Sequence, residues 1–138
     1  MEMSAKQVLA NIGTEETGSI THFISELGEG WYLVTDEHLA GIIIRLFSDY
    51  TTRKIIVALM NGPLNINQIL KVCGLAQTST YRKMHLLLDS GIIRQHGYLL
   101  TSSDKRAYTY YCIFTELKIE FGKKMEVTAK LDNRRRLS

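Results

Sequence analysis

In 138 residues the sequence holds one proline, Pro63, and two cysteines, Cys73 and Cys112. So little cysteine excludes a disulfide scaffold and a cysteine-only zinc site. A reduced, cytoplasmic protein is the expectation. No apolar run approaches the ~18 residues that a membrane-spanning helix needs. No basic stretch leading into an apolar one opens the chain, so a secretory signal is not expected. There is no internal repeat and no low-complexity tract. A nucleophile–base signature, a glycine-rich phosphate loop and a catalytic carboxylate pair are all lacking, so no enzyme is expected. What is present is enough to build a core: 45% of residues are hydrophobic and 22% charged. That balance fits one domain, or one domain with an arm, and is not the composition of a disordered chain.

The net charge of +3 conceals an asymmetry. Residues 1–37 carry one base, Lys6, against seven acids (Glu2, Glu15, Glu16, Glu26, Glu29, Asp36 and Glu37), so 1 − 7 = −6. Residues 38–138 carry sixteen bases and seven acids, or +9. A basic body with an acidic arm suits a polyanionic partner for the body; two ordinary solvated surfaces would give the same sums.

Hydrophobic spacing divides the chain further. Residues 1–35 read as an acidic arm. Within it Ile20, Phe23, Ile24 and Leu27 fall on one face of a short helix over Thr17–Leu27, stopped by Gly28 and Gly30. Trp31–Val34 is apolar and of ambiguous type. From Asp36 to Ser48 the stripe Leu39, Ile42, Ile43, Leu46, Phe47 predicts a helix, with Asp36 and Glu37 suited to its N-terminal end. Thr51–Met60 is a second helix, ended by Asn61-Gly62-Pro63. Asn65 and Gln68 fit a capping box at the start of a third, lined by Ile66, Ile69 and Leu70. Cys73-Gly74-Leu75-Ala76 is a tight turn with Gly74 at positive φ. Thr78–Ser90 is a fourth helix, stopped by Gly91. The period then drops to two. Ile92–Leu100 and Ala107–Phe114 read as strands joined by Thr101–Arg106. Leu117, Ile119, Phe121, Met125, Val127, Ala129 and Leu131 are all odd-numbered, which predicts a further hairpin over 115–132 that turns at Gly122-Lys123-Lys124. Residues 133–138 form a basic tail with Arg134, Arg135 and Arg136.

A short helix, a turn containing glycine and a longer helix make a helix-turn-helix. A helix before it and a strand-loop-strand after it would make the winged form. The segment Leu46–Phe114 resembles the winged helix-turn-helix of ArsR/MarR-type transcriptional regulators, especially their archaeal relatives. The resemblance lies in Phe47-Ser48-Asp49-Tyr50-Thr51-Thr52-Arg53-Lys54-Ile55-Ile56 and Leu64-Asn65-Ile66-Asn67-Gln68-Ile69-Leu70. It continues in Thr78-Ser79-Thr80-Tyr81-Arg82-Lys83-Met84 and Leu87-Leu88-Asp89-Ser90-Gly91-Ile92-Ile93. It covers about half the chain. It implies a winged helix-turn-helix over residues 36–114; with the N-terminal helical arm and the additional C-terminal β-hairpin read from spacing, the expected fold is α+β. The resemblance also implies sequence-specific binding of double-stranded DNA as a homodimer, without a cofactor. The usual ArsR pattern often ends in a helix, so the hairpin is a departure. The dimer contact would fall to the helix Asp36–Ser48, the arm helix or that hairpin.

Helix geometry then nominates residues. With Thr80, Met84, Leu87 and Leu88 inward, the opposite face of 78–90 shows Thr78, Ser79, Tyr81, Arg82 and His85 to the major groove. Arg82 can bond a guanine edge through two donors, Thr78 and Ser79 can bond phosphate or base, and Tyr81 can bond phosphate or touch a thymine methyl. Lys83 lies further round, toward phosphate. Lys105 and Arg106 would form the wing tip on backbone or minor groove. Arg53 and Lys54 start the second helix near the backbone. Cys73 and the scattered His22, His38, His85 and His96 lack ligand spacing, so no metal site is expected. Tyr108, Tyr110 and Tyr111 could stack on bases, although strand packing explains them as well. Two other functions fit the same residues: a winged-helix protein-interaction module within a larger complex, and a ligand- or redox-responsive regulator.

Overall fold

The computed structural model describes residues 24–131. The fold is α+β, with four helices and two antiparallel sheets among the described residues. Strands β1 (Ile24–Gly28) and β2 (Trp31–Val34) come first. Helices α1 (Glu37–Ser48) and α2 (Tyr50–Met60) follow. The two-residue strand β3 (Leu64–Asn65) precedes α3 (Ile66–Cys73) and α4 (Gln77–Ser90). The chain then runs through β4 (Ile93–Leu100), β5 (Arg106–Cys112), β6 (Phe114–Phe121) and β7 (Met125–Leu131).

The helix boundaries follow from local chemistry. Asp36 caps α1 by accepting from the His38 amide, and Asp49 caps α2 by accepting from Thr52. At α3 both halves of the capping box form: Asn65 accepts from the Gln68 amide and Gln68 from the Asn65 amide, each at 2.9 Å. Gly74 ends α3 at φ 62°. That left-handed conformation costs a residue with a Cβ about 1–2 kcal/mol.

Helix α2 is the hub. It packs against α1, α3, α4, β5 and β6, and its Thr52, Ile55, Ile56 and Leu59 are buried. One sheet has the order β3-β5-β4 and lies beside α3 and α4. The other has the order β1-β2-β7-β6. On its inner face Tyr32, Val34, Val127, Ala129 and Leu131 are buried, with Leu117 and Ile119 packed against the same core. On its outer face the Lys118 ammonium lies 4.6 Å from the Trp31 ring centre. The alternation in 117–131 thus gives two paired strands, apolar inward over most of their length, while Phe121 and Met125 beside the turn are exposed.

Two expectations change. The helix over Thr17–Leu27 is not found where the chain is described: residues 24–28 form β1, and Ile20 and Phe23 lie outside the described residues. Ile24 and Leu27 lie in a strand because β2 offers β1 a ladder, with Ile24 opposite Val34, and β2 is in turn paired with β7, with Tyr32 opposite Ala129 and Val34 opposite Val127. Gly28, Glu29 and Gly30, all at positive φ, fold the chain back as a hairpin instead of stopping a helix. The second change is at Phe114, expected to end a strand of the first hairpin. It starts β6 instead, paired with Leu131 of β7, while Ile113 before it still donates its amide to Ile92 O at 3.0 Å. Arg134, Arg135 and Arg136 lie outside the described residues.

Candidate nucleic-acid interface

The longest helix of the described residues, α4, is fixed by its inward side. Thr80, Met84 and Leu87 are buried, and the Thr80 hydroxyl donates to Ala76 O at 2.9 Å. Helix geometry therefore turns Thr78, Tyr81, Arg82 and His85 outward, and all four are exposed. Ser79 is half-buried and its hydroxyl donates to Ala76 O at 3.1 Å. The first turn of α4 also differs from those of the other helices. Its cap, Ala76, offers no side-chain acceptor, whereas α1, α2 and α3 are capped by Asp36, Asp49 and Asn65. The amides that open a helix are natural donors to an anion.

Three of the expected cations are engaged within the fold. Lys83, 23% exposed, pairs with Asp49 at 3.4 Å. Arg53 donates to Phe47 O at 2.7 Å, which caps the end of α1. Lys54 donates from Nζ to Cys73 O at 3.1 Å, while Cys73 Sγ donates back to Lys54 O at 3.6 Å. These links hold α2 against α1, α3 and α4. Burial raises the Cys73 thiol above its ordinary value, with Lys54 acting in the opposite sense. Arg82, Lys105 and Arg106 remain exposed. No carboxylate side chain occurs in the chain between Asp49 and Asp89. Between those two acids every charged side chain of α2–α4 is basic.

The β4–β5 hairpin adds a feature that alternation alone conceals. Gln95 pairs with Tyr110 and Tyr98 with Tyr108, so two residues, His96 and Gly97, face one across the ladder. This bulge moves Tyr98 and Leu100 onto the face that carries Gln95, Tyr110, Tyr108 and Arg106. Tyr98 and Tyr108 meet edge to face at 5.8 Å, and the Arg106 guanidinium stacks over Tyr98 at 4.8 Å. Tyr110 joins this row to α4. Its hydroxyl pKa is raised chiefly by burial and further by the neighbouring Tyr81 and Tyr108. A tyrosine row thus runs from the exposed face of α4 onto the hairpin. Tyr111 points to the other side, buried against His96. Of the three hairpin tyrosines considered for stacking, Tyr108 and Tyr110 therefore share the α4 side and Tyr111 does not. The composition of β5 signals these tyrosines. The place of Tyr98 depends on a bulge, for which Gly97 at φ 58° is the one local sign.

No described helix is long and apolar enough to cross a membrane, and no three His, Cys, Asp or Glu among the described residues are grouped to hold a metal ion. Comparison with family models, curated proteins and solved structures returns no match for the chain.

Proposed function

We propose that the chain is a winged helix-turn-helix protein that binds double-stranded DNA sequence-specifically as a transcriptional regulator. The elements run in the order this requires: α1 and α2, the short β3, α3, a glycine turn, α4, then the β4–β5 hairpin as the wing. The observation that carries the proposal is α4. A helix anchored by Thr80, Met84 and Leu87 presents Thr78, Tyr81, Arg82 and His85 to solvent, with an uncapped N-terminus and cationic flanks. In the major groove Arg82 reads a base edge, the first-turn amides and Thr78 meet phosphate, and Tyr81 with Tyr110 lines the path toward the wing. Lys105 and Arg106 approach backbone or minor groove. Lys83, Arg53 and Lys54 act chiefly by fixing the helices. A two-fold dimer on a palindromic site is part of the proposal, since one helix reads only a half-site.

The test is duplex binding across a salt series, followed by selection of bound sequences from random DNA. Affinity should fall steeply as salt rises, because neutralised phosphates release counterions. Arg82→Ala should cost about 1–3 kcal/mol and relax preference at one base position. A uniform loss over all sequences would instead assign Arg82 to phosphate. An absence of duplex binding at low salt, or affinity indifferent to salt, would overturn the proposal. A palindromic selected site would report the dimer.

A further inference from the structure

Resting on the DNA-binding proposal above, we infer that the end of the β4–β5 hairpin is an apolar wedge, which Leu99 and Leu100 drive into the minor groove to unstack a base step beside the site read by α4. Every residue from Gln95 to Arg106 is exposed, so the hairpin end stands clear of the core. Leu99 and Leu100 are 72% and 65% exposed. They face Ala107 and Arg106 across the ladder, a small side chain and a charged one, so neither leucine has an apolar partner on the opposing strand. Strand neighbours point to opposite faces, so the two leucines flank the hairpin on both sides.

The tip that carries them is internally braced. The Thr101 amide donates to Lys105 O at 2.8 Å and the Asp104 amide to Thr101 O at 3.0 Å. The Lys105 amide donates to Thr101 Oγ1 at 3.2 Å. Arg106 is held over Tyr98. A stiff end with exposed leucines and adjoining cations has the composition of an intercalating element: the cations secure the phosphates on either side, and the apolar groups replace stacking between bases. The charges decide the occupant. Lys105 and Arg106 outnumber the single carboxylate of the tip, Asp104, which complements a polyanion.

The experiment uses the full chain and a duplex taken from the selection described above, with 2-aminopurine placed in turn at positions flanking the half-site. Binding of the native protein should raise 2-aminopurine fluorescence at one flanking step. The double variant Leu99→Ser, Leu100→Ser should abolish that rise and weaken binding roughly tenfold, with the salt dependence retained. Arg106→Ala should instead reduce the salt slope by about one. Both leucines are exposed, so the thermal transition of the double variant should match the native one. Native binding without any fluorescence change, or equal affinity for the double variant, overturns the wedge and leaves the DNA proposal standing. If the native chain binds no duplex, both fall. Leucine-dependent binding to vesicles of anionic phospholipid in that case would assign the tip to a membrane surface.

Discussion

Asp49 both closes α1 and opens α2. Its carboxylate accepts from the Thr52 amide at 2.9 Å and from the Thr52 hydroxyl at 2.8 Å, and it pairs with Lys83 of α4. The Thr52 amide, then its hydroxyl, then Lys83 hold its pKa below the ordinary carboxylate value. A carboxyl depressed in the folded state stabilises fully above its unfolded pKa, and that contribution is lost as pH falls through the folded value. Asp49→Ala should therefore cost about 1 kcal/mol near neutral pH, as loss of a helix cap does. The difference from the native protein should shrink when denaturation is followed into acid. A gap that stays constant down to strongly acid pH would mean that the carboxylate charge does not contribute. Asp49 also holds Lys83 in an ion pair. If Lys83 reaches phosphate once freed, Asp49→Ala should keep duplex affinity or raise it, while destabilising the fold.

At the scale of elements, two glycines at positive φ differ in what surrounds them. A Cβ at Gly74, at the end of α3, would meet nothing within 4 Å. One at Gly30 would lie 3.0 Å from Leu131 O, on the backbone that β2 must reach. Gly74→Ala should cost about 1–2 kcal/mol, the conformational penalty alone. Gly30→Ala should cost more, because Leu131 also donates its amide to Gly30 O. Urea unfolding of the two variants checks the order, and equal losses would show that the β2–β7 junction yields freely. The contrast also shows what sequence could convey. The capping box, the glycine turn, the four helices and the odd-numbered alternation in 117–131 are local signals, and each specifies its own element. The β1–β2 hairpin was legible only as apolar residues, because its conformation is decided by β7, nearly a whole chain away. The outward row of α4 followed from helix periodicity once Thr80, Met84 and Leu87 were inward. The engagement of Lys83, Arg53 and Lys54 with Asp49, Phe47 O and Cys73 O could not be read, since it depends on how the helices meet.

Across the whole molecule, one cluster of buried residues spans all four helices and both sheets. Phe114 is among its largest fully buried side chains. It follows Ile113, the single residue that separates β5 of one sheet from β6 of the other. Removing its ring should therefore loosen both sheets together. Phe114→Ala should cost about 3–5 kcal/mol and keep one cooperative transition, seen alike by far-ultraviolet circular dichroism and by Trp31 fluorescence. Two separated transitions would mean that the four-stranded sheet and the helical part unfold independently. The pairing of Val34 with Val127 and Trp31 with Lys130 has a further consequence, for the order of events during synthesis. The β1–β2 hairpin is made before β7, with Tyr32 and Val34 uncovered in the interval. The strand it pairs with, β7, follows only after the four helices and the β4–β5 hairpin. The helices and the β4–β5 hairpin between them have time to assemble first, so the growing chain carries an unfinished sheet edge until β7 has been made.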